Sequence, residues 1–194
     1  RKLPGCVNLG GMKLWSVVVV ALSLAAWVGL WATPGEPPDE PRFTAQNELV
    51  RPEGYREWIF VGASLGMSYN DQAPKQPTFH NVYLHPRAYR EWQKTGRFPE
   101  RTILAMELLT PGSQESINRQ GQFENRAVGV EAAVKDSSRF AEGWAYFNFI
   151  RQGQPAAPTA KAFPKEACWE CHHQHGQTDN VFTQFYPVLR REWK

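Results

Sequence analysis

The sequence predicts an α+β fold: mainly antiparallel β-sheet with a few packed helices, preceded by an N-terminal hydrophobic helix. Three observations predict it. Val128, Val130, Ala132 and Val134 alternate strictly, several other short runs are β-branched or aromatic, and an unbroken apolar stretch from Leu14 to Trp31 precedes proline-rich chain.

The apolar stretch, LWSVVVVALSLAAWVGLW, is 18 residues long. As a helix it would span roughly 27 Å, close to the thickness of a bilayer core. Arg1, Lys2 and Lys13 precede it, and Glu36, Asp39 and Glu40 follow. This asymmetry keeps the N-terminus in the cytoplasm and exports the rest of the chain. Read from Met12, the same stretch is a signal peptide, although Leu30 makes cleavage after Ala32 poor. Residues 1–32 are therefore expected to be an N-terminal extension with a signal peptide or membrane anchor. Cys6, in that extension, receives no function. Residues 33–42 form a Pro-rich linker, and residues 43–194 form one domain. The expected location is periplasmic, either soluble after signal cleavage or tethered to the inner membrane through the helix.

Within the domain, Trp58–Val61 and Phe79–Leu84 are strand candidates. Pro86–Lys94 reads as a helix, with proline in its first turn, Tyr89 and Trp92 on one face, and Gly96 as its stop. Thr102–Leu109 fits strand or helix by pattern, and the flanking Pro99 and Pro111 favour strand. Trp144–Ile150 is apolar on both faces and is expected to be a central strand. Thr159–Cys171 looks helical.

The formal charge is +3, from 22 basic and 19 acidic residues scattered along the chain, so no basic stripe supports nucleic-acid binding. The 8 Trp and 11 Phe suit either an aromatic core or a dry cavity around a flat cofactor. Three cysteines are too few for a disulfide-stapled fold, and Cys168 and Cys171 sit three positions apart.

Those two belong to Cys168-Trp169-Glu170-Cys171-His172, the pattern of covalent haem attachment. Two thiols on one helical turn reach the porphyrin vinyl groups, and the adjacent His172 faces the iron as its metal ligand. A redox dithiol at this spacing sits at a strand-to-helix junction of a βαβ unit, and nothing upstream reads as one. A zinc site using Cys168, Cys171 and two of His172, His173 and His175 would lack the usual second, distant ligand pair. One covalent haem c is the cofactor expected.

From about Leu49 to Arg190 the chain resembles the cytochrome P-460 and cytochrome c′-beta family. The segments that carry the resemblance are LVRPEGYREWIFVGASLG, FHNVYLHPRAYREWQKTGRFPERTILAMEL, GVEAAVKDSSRFAEGWAYFNF, AFPKEACWECH and VFTQFYPVLR. The resemblance implies a homodimer and a five-coordinate haem with His172 as the protein ligand. It also implies an open face for small nitrogen or oxygen species such as nitric oxide, peroxide or hydroxylamine. Family members with the P-460 chromophore carry a lysine that cross-links to the porphyrin, in a segment like TILVKEL. Here the segment is TILAMEL, with Met106 at that position. A thioether cannot form the amine's bond, so hydroxylamine oxidation is less expected than peroxidase-like chemistry.

Met106 thus reads as a core filler, a residue at the haem edge, or a sixth iron ligand. Phe79 reads as a wall of the open face or as plain core. His80, His85, His173 and His175 are expected to be mostly surface or capping residues. Glu107, Glu131 and Glu166 are equal candidates for an acid or base near the iron. The competing functions are a peroxidase-like or hydroxylamine/nitric oxide oxidoreductase, a non-catalytic nitric oxide binder, and a six-coordinate electron carrier with an unassigned redox partner.

Overall fold

In the computed structural model of the protein, residues 40–68, 71 and 73–190 are described. The apolar stretch 14–31 and most of the linker lie outside them. Five strands form one antiparallel sheet, each paired with its neighbour in sequence: β2 (Ile59–Leu65), β3 (Phe79–Leu84), β4 (Ile103–Gly112), β5 (Phe123–Lys135) and β6 (Trp144–Asn148). A second, two-stranded sheet pairs β1 (Leu49–Val50) with β7 (Thr159–Ala160). The helices are α1 (Pro86–Thr95) and α2 (Trp169–His175).

The side-chain alternation of each strand divides the sheet into two unlike faces. Ile103 and Ala105 of β4, Val130, Ala132 and Val134 of β5, and Ala145 and Phe147 of β6 form one core with Leu49, Trp58 and Phe149. Fully burying a side chain such as Phe147, which is 1% exposed, stabilises the fold by roughly 1.5–3 kcal/mol. The other face presents Val82, Leu84, Leu104, Trp144 and Tyr146, which pack with Ala88 and Trp92 of α1 and with Val181 and Leu189. This second face holds the candidate site.

Helix α1 forms where the pattern predicts it. Pro86 stands in its first turn, His85 Nδ1 accepts a hydrogen bond from the Arg87 amide at 3.3 Å, and Gly96 stops the helix at φ 70°. Trp92 stacks on Phe98 with ring centroids 4.4 Å apart. Phe79–Leu84 is β3 without change of boundary. The Thr102–Leu109 run is strand from Ile103, and β4 continues through Pro111, where the ladder shifts register because proline has no amide hydrogen to donate.

Two expectations are corrected. First, β6 is not central but lies at the sheet's edge. It can be apolar on both faces because its edge is covered: Ala162 bridges to Phe147, and the Phe163 amide donates to the Tyr146 carbonyl at 2.9 Å. Second, Thr159–Cys171 is not a helix. It begins as β7, Pro164 interrupts it, and helix starts only at Trp169 with Cys168 as its N-cap. Residues 40–42 are bonded to later parts of the chain. Glu40 pairs with Arg101 at 2.6 Å, the Pro41 carbonyl accepts from the same guanidinium at 3.0 Å, and the Arg42 carbonyl accepts from the Val50 amide at 2.8 Å. Among the described residues no helix is long and apolar enough to cross a membrane.

Candidate functional site

Between the second face of the sheet and the C-terminal segment lies an open-mouthed cavity of about 320 Å³. This lies at the lower end of the roughly 300–1,000 Å³ usual for ligand and cofactor sites. Val82, Leu104, Met106 and Ala133 line it from the sheet; Phe163, Ala167 and Phe182 line it from the C-terminal segment. Cys168, Cys171 and His172 all face into it. The two cysteines are not joined to each other by a disulfide.

The imidazole of His172 is held by three contacts. Its ring lies 4.2 Å from that of Tyr146 and 4.5 Å from that of Phe182, and its Nδ1 is 3.0 Å from the carbonyl oxygen of Asn180. A carbonyl only accepts, so Nδ1 carries the proton and the lone pair resides on Nε2. This is the tautomer in which a histidine binds a metal through Nε2, with its other nitrogen fixed by an acceptor. Burial pushes the pKa of His172 down, against the opposing pull of the Asn180 carbonyl. The ring is therefore neutral at pH 7, as a metal ligand must be.

The turn that supplies this carbonyl has two adjacent non-glycine residues in the left-handed region, Asp179 at φ 52° and Asn180 at φ 59°. Asp and Asn tolerate that region better than most residues do. Asp179 is fastened from the sheet by the Lys135 ammonium at 2.7 Å and the Trp144 indole N–H at 3.2 Å. On the other side, Tyr146 donates to the same Asn180 carbonyl at 3.3 Å, and burial raises its own pKa. The Trp169 indole N–H donates to the Glu142 carbonyl at 3.1 Å, tying α2 to the loop before β6.

The three glutamates separate cleanly. Glu131 lines the cavity, where it accepts from the Asn148 side-chain amide at 2.9 Å, and burial raises its pKa. Glu107 projects from the opposite face, is 3% exposed, and is bonded by Tyr55 at 3.0 Å and by Arg56. Glu166 is exposed and does not line the cavity. Met106, paired in register with Val82 and Glu131, lines the cavity.

Phe79 does not. Its neighbour His80 faces the cavity with Val82, and strand alternation places Phe79 on the other side of the sheet. Of the remaining histidines, His85 caps α1, while His173 is exposed and stacks on Trp169 at 4.4 Å. His175 is also exposed. His80, Tyr146, Asp179 and Asn180 escaped sequence reasoning as site residues. Only the Asp-Asn pair, a favoured turn dipeptide seven and eight residues after the motif, carried any local signal.

Two unjoined thiols and a neutral imidazole with free Nε2, all facing an apolar cavity, fit a covalently attached haem. A zinc site fits less well: among the described residues no group of three His, Cys, Asp or Glu side chains is placed to hold a metal ion. A family model described as cytochrome P460 matches residues 52–183, a span containing the five-stranded sheet and the Cys168–His172 motif. No curated protein matches the chain.

Proposed function

Since the chain belongs to the cytochrome P460 family and is a haem-binding cytochrome, we propose that it holds one haem c and uses the iron to bind and react with small nitrogen or oxygen species. The observation that carries this reading is the hydrogen bond from His172 Nδ1 to the Asn180 carbonyl, beside Cys168 and Cys171 at the wall of an apolar cavity. In this reading the two thiols form the thioethers, and Nε2 of His172 is the protein's ligand to iron. Haem supplies an iron that binds such molecules and exchanges electrons with them.

The chain's own residues would do the rest. The Asn180 carbonyl keeps His172 in one tautomer and increases its basicity. Val82, Leu104, Met106 and Phe182 exclude water, which strengthens every polar contact inside. Glu131 holds or accepts a proton at its carboxyl oxygens, and its raised pKa brings that exchange closer to neutral pH. A carboxyl of this kind favours peroxidase-like turnover over passive capture in this proposal. Met106 offers a thioether where family members with the P-460 chromophore have an amine, so the haem should have an ordinary c-type spectrum. A homodimer, an exported location and an N-terminal signal or anchor belong to the same proposal.

The test is a visible spectrum of the purified holoprotein with a pyridine haemochrome assay, repeated on His172→Ala. A haemochrome typical of two thioethers is expected, with a high-spin reduced spectrum that changes in the variant. A sharp low-spin reduced spectrum would mean a sixth protein ligand and an electron carrier. A colourless protein from a host that matures c-type cytochromes would end the proposal.

A further inference from the structure

One feature of the cavity is outside the motif and the glutamates: a second imidazole. His80 stands on β3 with Val82, while His172 of α2 packs against Tyr146 of β6, and β4 and β5 lie between those two strands. His80 also lines a small adjoining cavity of about 30 Å³ with Ser64, Met67 and Phe185. It therefore forms part of the partition between the two spaces. The Thr78 hydroxyl, on the residue that precedes β3, lies 2.9 Å from His80 Nε2 and steadies the ring. A hydroxyl that donates to Nε2 leaves the proton on Nδ1. In that tautomer Nε2 is taken by Thr78 and Nδ1–H is the ring's hydrogen-bond donor.

Resting on the haem reading above, we propose that His80 is a ligand-facing residue of this site. Its Nδ1–H donates a hydrogen bond to the small polar or anionic molecule held in the cavity, and Thr78 orients it. The chemical class favoured is one that gains from a single N–H donor in an apolar pocket: cyanide, peroxide or a bound diatomic. Thr78 is a positioning residue, since it acts only through His80.

The experiment uses holoprotein, with His80→Ala, His80→Gln and Thr78→Val beside the unsubstituted chain. Haem content by haemochrome is measured first. Two probes follow: cyanide dissociation from the ferric form, and the carbon monoxide stretching frequency of the ferrous form. Losing one hydrogen bond to a charged ligand should speed cyanide release about tenfold in His80→Ala. The carbon monoxide stretch should rise as the donor is removed. His80→Gln, which keeps an N–H donor, should recover most of both effects, and Thr78→Val should show a partial change.

Unchanged cyanide release and stretching frequency in haem-replete His80→Ala would overturn the inference while leaving the haem reading intact. A low-spin ferric spectrum that turns high-spin in His80→Ala would also overturn it, by making His80 an iron ligand. If His80→Ala fails to mature, the Thr78→Val result decides, and no change there refutes the role. A wild-type protein without haem would overturn both proposals.

Discussion

Tyr55, Arg56 and Glu107 form a polar cluster on the sheet face turned away from the cavity. Glu107 is nearly fully buried there, and the phenol that donates to it is pushed up to about 12, by burial first and the Glu107 charge second. The unfolded chain releases this proton near the ordinary value of 10.0, so between 10.0 and about 12 the folded state binds more protons. The stability attached to this group is therefore fully present below the unfolded value and lost as pH rises through the folded one. Denaturant titrations across that window should show the wild type losing stability more steeply than Tyr55→Phe. Parallel slopes would refute the assignment. At this scale the sequence was only partly legible. It offered Glu107, Glu131 and Glu166 as equals, because a carboxylate's role depends on which face of a strand carries it. The same one-residue ambiguity explains why Phe79 was expected in the site and His80 was not: adjacent positions on a strand face opposite ways.

Among the elements, α2 is the least expected in form, a helix of 7 residues in place of one reaching back to Thr159. Its end is crowded. The Gly176 amide donates to the His172 carbonyl at 2.8 Å, and a Cβ at Gly176 would meet that oxygen at 2.6 Å, Asn180 C at 2.8 Å and Val181 N at 2.9 Å. All three are backbone atoms and cannot rotate aside. Gly176→Ala should therefore destabilise the fold by about 1–3 kcal/mol. It should also push the Asp179–Asn180 turn away from His172, and with it the carbonyl that holds Nδ1. Thermal denaturation gives the first effect, and the ferric spectrum of the surviving holoprotein gives the second. A variant with unchanged stability and spectrum would show that the close approach is not needed. Periodicity foretold β3, α1 and the strand nature of β4, since each reads from local pattern and breakers. It misplaced β6, because an edge strand covered by a later segment is as apolar as a central one.

For the molecule as a whole, the sheet keeps its main stabilising core on one face and its candidate cofactor cavity on the other. Phe149, 0% exposed and packed in the first core, does not line the cavity. Phe149→Ala should cost about 3–5 kcal/mol of stability and leave the visible spectrum of the folded holoprotein unchanged. A shifted Soret band in that variant would show that the two faces are not separable. What the sequence by itself determined was the α+β class, most strand positions, the family and the haem motif, because each depends on residues close together in the chain. Only the tertiary structure decided that Glu131 and His80 enter the cavity, that Glu107 and Phe79 do not, and that Asn180 holds His172. The first four placements are settled by strand register and the last by a turn fastened from distant strands. Each joins residues that the linear pattern treats as unrelated.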